Sequence, residues 1–262
     1  MCVYDTPEND RTQFTKRTLK SLSRTVDWTK HRLRIVDNNS CEATKDLYKS
    51  MANVFGLDAD VIYLPENIGT AEAWNKGAMQ RKPGEHVIKI DNDIIVHAHD
   101  WVEQLEECVE RYPKLGQIGL KRKDLAECVD NPNPFYRSKL IQLPHAPGQR
   151  WIIIEAQFHV MGSCVLHTSR LLDTIGYMYQ NGLYGFDDSY YSARAIRAKF
   201  VVAMLPHIDI DHIDTGGNPY IQQKADIAGE LFNSGLYKKT LQDISEGKIY
   251  YDGIEHTLKP IP

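Results

Sequence analysis

The stretch Val87-Ile88-Lys89-Ile90-Asp91-Asn92-Asp93 decides how this chain is read. A short apolar run that stops at a cluster of Asp and Asn predicts a buried strand, here residues 86–90, closed by a polar turn. Asp91 and Asp93 stand at i and i+2, which in extended backbone puts both side chains on one face about 6.6 Å apart. Two carboxylates on one face suit a hard divalent cation whose other ligands are waters and substrate phosphates. The same spacing also fits a polar turn with two solvated aspartates, so the surrounding sequence has to arbitrate. An EF-hand loop is excluded, because Ile95 and Val96 stand where a ligand and the turn glycine belong.

Upstream of this strand, residues 2–4, 33–36 and 60–64 read as strands, with helices over 12–24, 43–53 and 70–80 between and after them. Leu19, Leu22 and Val26 lie along one side of the first helix. Asp37-Asn38-Asn39-Ser40 ends the second strand and supplies a cap for the helix that follows. Downstream, Asp100 and Glu103 form an Asp variant of the capping box for a helix to about residue 111, and 117–120 is a further strand. This alternation predicts an α/β fold, Rossmann-like, with a mostly parallel sheet flanked by helices and joined by right-handed crossovers. Ligands of such open sheets bind beyond the carboxyl ends of the strands, where both acidic turns, at Asp37 and Asp91, fall.

Beyond residue 120 the pattern is less regular. Residues 124–150, with Pro132, Pro134, Pro144 and Pro147, read as a long loop. Residues 151–159 and 163–167 are strand-like, 168–175 a short helix and 187–199 a longer one. A strand region leads into 207–214, followed by helical stretches at 221–233 and 238–245. With no linker in the pattern, the expectation is one domain over 1–262, divided into halves 1–120 and 121–262.

Composition narrows the classes. The chain has 262 residues, 42% hydrophobic and 25% charged, which fits an ordinary globular protein and excludes disordered, collagen-like and coiled-coil classes. Its formal net charge of −4 excludes a strongly basic nucleic-acid coat protein. The five cysteines, Cys2, Cys41, Cys108, Cys128 and Cys164, are odd in number and contain no C-x-x-C, which argues against a disulfide framework or a cysteine-rich zinc site. No apolar run approaches the ~18–20 residues of a membrane span. The N-terminus lacks a signal-peptide profile, so the expected compartment is the cytoplasm. Dinucleotide and P-loop glycine motifs are absent, as are the G-x-S-x-G elbow and H-E-x-x-H.

Four segments taken together carry a resemblance. They are Ile35-Val36-Asp37-Asn38-Asn39-Ser40, then Asn67-Ile68-Gly69-Thr70-Ala71-Glu72-Ala73-Trp74-Asn75-Lys76-Gly77, then Ile88-Lys89-Ile90-Asp91-Asn92-Asp93, and finally Gly185-Phe186-Asp187-Asp188-Ser189-Tyr190-Tyr191-Ser192-Ala193-Arg194. In this order they resemble the nucleotide-sugar half and acceptor-side helix of family-2-like glycosyltransferases with the GT-A fold, over roughly residues 1–215. The resemblance implies a nucleotide-sugar donor, UDP-linked, with Asp37 on the nucleotide base and Tyr4, Asp5, Asn67, Gly69 and Asn75 beside the nucleoside. It implies that Asp91 and Asp93 hold Mn²⁺ or Mg²⁺ against the diphosphate, with Asp91 also on the donor. It makes Asp188 the catalytic base and puts Asp187 at the preceding acidic position, where the family carries Glu. Gly162 and Ser163 match its small-residue loop beside the acceptor, and His212 is the positional match for a histidine that completes the metal site. The chain departs from the family pattern at Asp5-Thr6, which replaces Asn-Arg. The implied C-terminal half is an elaborated acceptor-binding unit.

The chemistry fits these roles. A divalent cation would act as a Lewis acid on the departing diphosphate. A carboxylate on the opposite face would take the proton of the attacking hydroxyl, and direct attack inverts the anomeric centre. Without the resemblance, Asp187 and Asp188 read simply as acids favoured by a helix N-terminus. His207, Asp209 and Asp211 would share one strand face, His97 and His99 read as a surface turn, and Trp74, Trp101 and Phe186 as packing residues.

Charge is unevenly spread. Residues 11–34 hold eight Lys and Arg against the single acid Asp27, and Lys16, Lys20 and Arg24 recur every fourth residue on one helix face. A solvated face accounts for that, and so does a phosphate-rich acceptor such as DNA, with Lys121-Arg122-Lys123 extending the patch. The segment from His212 to Tyr220 resembles phage-encoded transferases of this group, some of which glycosylate hydroxymethylated bases in DNA. The expected function is therefore metal-dependent, inverting sugar transfer to an acceptor hydroxyl, DNA among the candidates, with saccharide, lipid or protein as alternatives. The rivals are a GT-A-like nucleotidyltransferase and an inactive nucleotide- or sugar-binding module. Oligomeric state is not legible.

Overall fold

Strand–helix alternation in the first third folds as expected. The computed structural model describes residues 1–126, 139–214 and 219–261. β1 (Cys2–Val3), α1 (Thr12–Thr25), β2 (Leu33–Asp37), α2 (Glu42–Phe55), β3 (Ala59–Tyr63) and α3 (Thr70–Ala78) follow one another, and β1, β2 and β3 form a parallel sheet in that order. Val3 sits beside Asp37 and Asp37 beside Tyr63, so the polar ends of the strands line up at one edge. α1 buries Leu19 and Leu22 and leaves Lys16, Lys20 and Arg24 exposed, the division its 3.6-residue period requires. α2 stops at Gly56, whose φ of +63° gives the left-handed cap that glycine adopts without Cβ strain.

The chain continues through β4 (Val87–Ile90), β5 (Ile94–Val96), α4 (Trp101–Arg111), β6 (Leu115–Arg122), α5 (Lys123–Ala126), β7 (Lys139–Gln142), β8 (Ile153–Ala156) and β9 (Cys164–His167). After these come α6 (Ser169–Ile175), α7 (Asp187–Arg197), β10 (Val201–His212), α8 (Pro219–Asn233), α9 (Leu236–Glu246) and the hairpin β11 (Ile249–Asp252) with β12 (Thr257–Pro260). A second sheet has the order β4-β9-β6-β10-β8-β7, with β5 also paired to β10. β6 and β10 are parallel, whereas β9, β8, β7 and β5 join antiparallel. The α/β class holds, and the irregular second half contributes the antiparallel strands β7, β8 and β9, with β5 added from the first half; the segment between β7 and β8 is too short for the helical crossover a parallel pair needs.

Helices cover both faces of this second sheet. Along β10, Ala203 and Leu205 pack with Trp101 and Leu105 of α4, while Val202 and Met204 pack with Trp74 of α3 and Tyr191 of α7. That alternation is the period-2 geometry of a strand buried on both sides. Trp74 and Trp101 are thus packing residues, and Phe186 stacks on Tyr237 with ring centroids 3.9 Å apart. Packing is tight at Gly119, where an added Cβ would lie 2.4 Å from Val160 Cγ1 and 3.3 Å from the Cys164 carbonyl. Gly119→Ala is expected to destabilise the protein by about 1–3 kcal/mol, read as a lower denaturation midpoint at unchanged m-value.

Several local readings need correction. Asp100 does precede α4, but it makes no side-chain cap bond; its carboxylate instead accepts from Gln104 Nε2 and Arg150 Nη1 at 2.9 Å each. The supposed loop over 124–150 contains most of α5 and all of β7. β5 and the β11–β12 hairpin were not anticipated, because three- and four-residue strands carry too little periodicity. Cys128, Pro132 and Pro134, and residues 215–218 of the segment that resembles phage transferases, lie outside the described residues.

Candidate functional site

The carboxyl ends of β1, β2 and β4 open onto a cavity of about 400 Å³. Tyr4, Asn38 and Asn67 line it from the first sheet, Asp91 and Asp93 from the turn after β4, and Asp187 and Asp188 from the start of α7. Gly162, Ser163 and His212 complete this set, so residues scattered over the whole sequence converge on one space.

Asp93 is 4% exposed and is held by two groups. Arg11 Nη2 donates to its Oδ2 at 2.5 Å, and His212 Nε2 lies 3.4 Å from the same oxygen. Its other oxygen, Oδ1, is buried without a hydrogen-bond partner. Burial alone would raise the pKa of Asp93, but His212 and the Arg11 guanidinium prevail and hold it well below the usual carboxylate range. Arg11 also pairs with the buried Asp214. Asp91 points to a different partner: Lys89 Nζ donates to its Oδ1 at 2.8 Å. The structure therefore brings Asp93 and His212 together and ties Asp91 to Lys89. Among the described residues, no group of three or more His, Cys, Asp and Glu side chains is gathered to hold a metal ion.

α7 begins at Asp187 and Asp188, which sit in its first turn where the helix dipole favours negative charge. The turn before it requires φ values of +112° at Gly185 and +61° at Phe186. Asp188 Oδ2 accepts the Gly162 amide at 3.1 Å and lies 3.2 Å from His159 Nε2, while Oδ1 accepts the Ser189 amide at 2.8 Å. Burial opposes ionisation of Asp188, yet His159 holds it ionised and lowers its pKa. For Asp187, burial prevails over the attraction of Lys89 and raises the pKa. One environment pushes two adjacent carboxyls apart, a pattern that marks acid–base sites.

Three of the expected nucleoside-side residues do not line the cavity. Asp5 is fully buried and accepts from Thr15 at 2.7 Å, Asn92 at 3.0 Å and Thr44 at 3.1 Å; burial raises its pKa to about 6. Asn75 spends its amide on the backbone of Met178, donating to the carbonyl at 2.9 Å and accepting the N–H at 3.0 Å. Gly69, at φ +90°, is needed where a Cβ would come within 3.0 Å of Leu183 Cα. Asp37 is also fully buried, and its Oδ2 has no partner; its neighbour Asn38 reaches the cavity and donates to Asn67 Oδ1 at 2.8 Å.

The other acid–histidine clusters stand apart from this cavity. His207 meets Gln104 at 2.7 Å, and His97 pairs with Asp211 at 2.8 Å on the surface. Lys121 pairs with Glu155 and Arg122 with Asp124, and Arg122 also lines the cavity. Sequence reasoning missed Arg11, Lys89, His159 and Asn38, as well as Lys224 of α8, which also lines the cavity. A lysine inside the apolar run 87–90 was a visible signal for Lys89. Nothing in the pattern marked Arg11, whose acidic partners lie 82 and 203 residues away.

Solved structures similar in shape align at low sequence identity. A mannosyltransferase from Pyrobaculum calidifontis, in complex with GDP-Man and Mn²⁺, aligns at TM-score 0.64 and 15% identity, over 93% of this chain and 68% of its own. S. aureus TarS 1-349 aligns at TM-score 0.58 and 17% identity, over 93% of this chain and 68% of its own. GalNAc-T7 with UDP, GalNAc and Mn²⁺ aligns at TM-score 0.57 and 13% identity, over 80% of this chain and 43% of its own. The shared architecture is the α/β fold of GT-A glycosyltransferases. Comparison with curated protein sequences gives no match. The sequence family described as glycosyl transferase family 2 matches residues 6–161, more than half of the chain, and the protein belongs to that family of glycosyltransferases.

Proposed function

We propose that this chain moves a sugar from a nucleotide diphosphate, UDP-linked, to an acceptor hydroxyl with inversion of the anomeric centre. The observation that carries the reading is the single cavity where Tyr4 and Asn67, Asp91 and Asp93, and Asp187 and Asp188 meet. It gives a nucleoside end, a diphosphate region and a carboxylate for the attacking hydroxyl. Residues 1–120 act as the nucleotide-sugar half and 121–262 as the acceptor half of one unit. The solved neighbours with GDP-Man, with UDP-GlcNAc and with Mn²⁺ support this division of labour.

The residues fit a divalent cation of the Mn²⁺ or Mg²⁺ kind. Asp93 Oδ1 is a buried carboxylate oxygen with no protein partner, and His212 stands beside the same side chain. Such cations take one or two protein carboxylates and complete their shell with phosphates and water, which suits a site with few protein ligands. Asp93 and His212 would hold the ion, with Asp91 on the donor beside it, and the bound ion would neutralise charge on the departing diphosphate. Asp188, anchored by the Gly162 and Ser189 amides and kept ionised by His159, takes the proton as the acceptor oxygen attacks. Asp187 is the adjacent carboxyl, and Gly162 and Ser163 edge the acceptor side.

Asp93→Ala is expected to abolish the Mn²⁺-dependent part of UDP binding, measured by titration calorimetry with and without Mn²⁺. Binding that is metal-independent and survives the substitution would sink the metal role. The exposed Lys16, Lys20 and Arg24 favour a polyanionic acceptor, and a hydroxymethylated base in DNA is the form to test first. Under one donor, hydroxymethylated DNA should accept sugar where plain DNA does not; transfer to a saccharide, lipid or protein alone would reassign the acceptor. Among the described residues, no helix is long and apolar enough to cross a membrane.

A further inference from the structure

Lys89 lies in β4 two residues before Asp91, and its side chain is only 6% exposed. Its ammonium donates to Asp91 Oδ1 at 2.8 Å and to the Gly162 carbonyl at 2.7 Å. The Gly162 amide in turn donates to Asp188 Oδ2 at 3.1 Å. A chain of contacts thus runs from the acidic turn after β4, through one lysine and the backbone C=O and N–H of one glycine, to the carboxylate at the start of α7. Glycine at 162 is a condition of that path: a Cβ there would lie 2.8 Å from Lys89 Nζ and 3.5 Å from Asp188 Cβ.

An ammonium has three donors, and a buried one without an acceptor is costly. Two are used here. Among the described residues no third acceptor is within hydrogen-bond reach, and Lys89 lines the cavity. A lysine placed between the diphosphate side and the base is placed where the transferred sugar itself must lie, because the anomeric carbon sits between leaving group and attacking hydroxyl. We propose that Lys89 is a positioning and sugar-binding residue for the transfer: it keeps Asp91 and Asp188 in register, and its third N–H takes a hydroxyl of the transferred sugar. This rests on the function proposed above. A lysine that only neutralised neighbouring acids would affect stability and nucleotide binding, not the sugar or the turnover step.

The test uses the full chain with Mn²⁺, UDP, and a panel of UDP- and GDP-sugars. Lys89→Met keeps the stem and removes the donors; Gly162→Ala keeps the lysine residue but crowds its ammonium away from the loop. Both should keep the affinity for free UDP while kcat falls about 10²-fold, the usual loss when one preorganised donor is removed. In wild type the active nucleotide-sugar should bind more tightly than its free nucleotide, and Lys89→Met should lose that gain. Unchanged kcat in either variant, a retained gain for the sugar, or a loss seen only in melting temperature and UDP affinity would overturn the assignment. If Lys89→Met does not fold, Gly162→Ala decides on the affinity gain for the sugar alone, because the Gly162 amide also anchors Asp188 and its kcat reports both contacts. A wild-type protein that binds no nucleotide and turns over no donor overturns the proposed function, and this inference with it, before any substitution is made.

Discussion

Replacing Asp188 with Asn is expected to lower kcat by about 10²–10⁴-fold, the range for removing a positioned general base. The amide is nearly isosteric, but Gly162 and Ser189 donate to different carboxylate oxygens, so its single oxygen keeps one of those two bonds and its NH2 replaces the other acceptor. It also loses the capacity to receive a proton. Donor binding should persist, because the carboxylate lies on the acceptor side of the proposed reaction. Steady-state release of nucleoside diphosphate, set beside calorimetric titration of UDP, separates the two effects. Asp187→Asn run in parallel gives the control: burial raises the pKa of Asp187, whereas His159 keeps Asp188 ionised against the burial that opposes it. Full activity in Asp188→Asn with loss in Asp187→Asn would move the base to the neighbouring residue.

Arg11→Met should be the most damaging single change to stability among the site residues. The guanidinium is 2% exposed and lies between Asp93 and Asp214, whose side chains are 6% and 1% exposed. Methionine fills much of the same volume but leaves two buried carboxylates without the cation they share. Breaking a buried ion pair from one side costs about 3–5 kcal/mol, most of it from the stranded charge. The sign of the pH dependence follows from Asp93, whose folded-state pKa is depressed. Its contribution is present at neutral pH and is lost as the pH falls through the folded value. The penalty of Arg11→Met should therefore be largest at neutral pH and shrink in acid, as the stranded carboxylates protonate. Urea denaturation at pH 7 and at pH 4 measures both points. A variant within about 0.5 kcal/mol of wild type at pH 7 would place it with ordinary surface substitutions and refute the argument.

Much of the fold was legible because its signals are local. Leu19 and Leu22 on one side of α1, the apolar run before Asp91, and the acidic ends of β2 and β4 each follow from period and turn chemistry within a few residues. The antiparallel strands β5 and β7 were harder, since a segment of three or four residues carries little periodicity. The candidate site divides in the same way. Asp91, Asp93, Asp187 and Asp188 stand in short motifs and reach the cavity. Asp5 and Asn75 stand beside similar motifs, but their side chains turn to Thr15, Asn92 and the Met178 backbone. Which way a polar side chain turns depends on the partners packed around it, and those come from distant parts of the chain.

By itself, then, the sequence determined the alternation of strands and helices, the strand ends at which ligands gather, and the acidic residues available there, because these depend on neighbours within one or two turns. Tertiary structure alone decided that Arg11 meets Asp93 and Asp214, that Asp93 rather than Asp91 stands beside His212, and that Lys89 joins Asp91 to the Gly162 loop. These are charge pairings across separations of up to 203 residues. They arise only where burial strips charged groups of water and leaves them to one another.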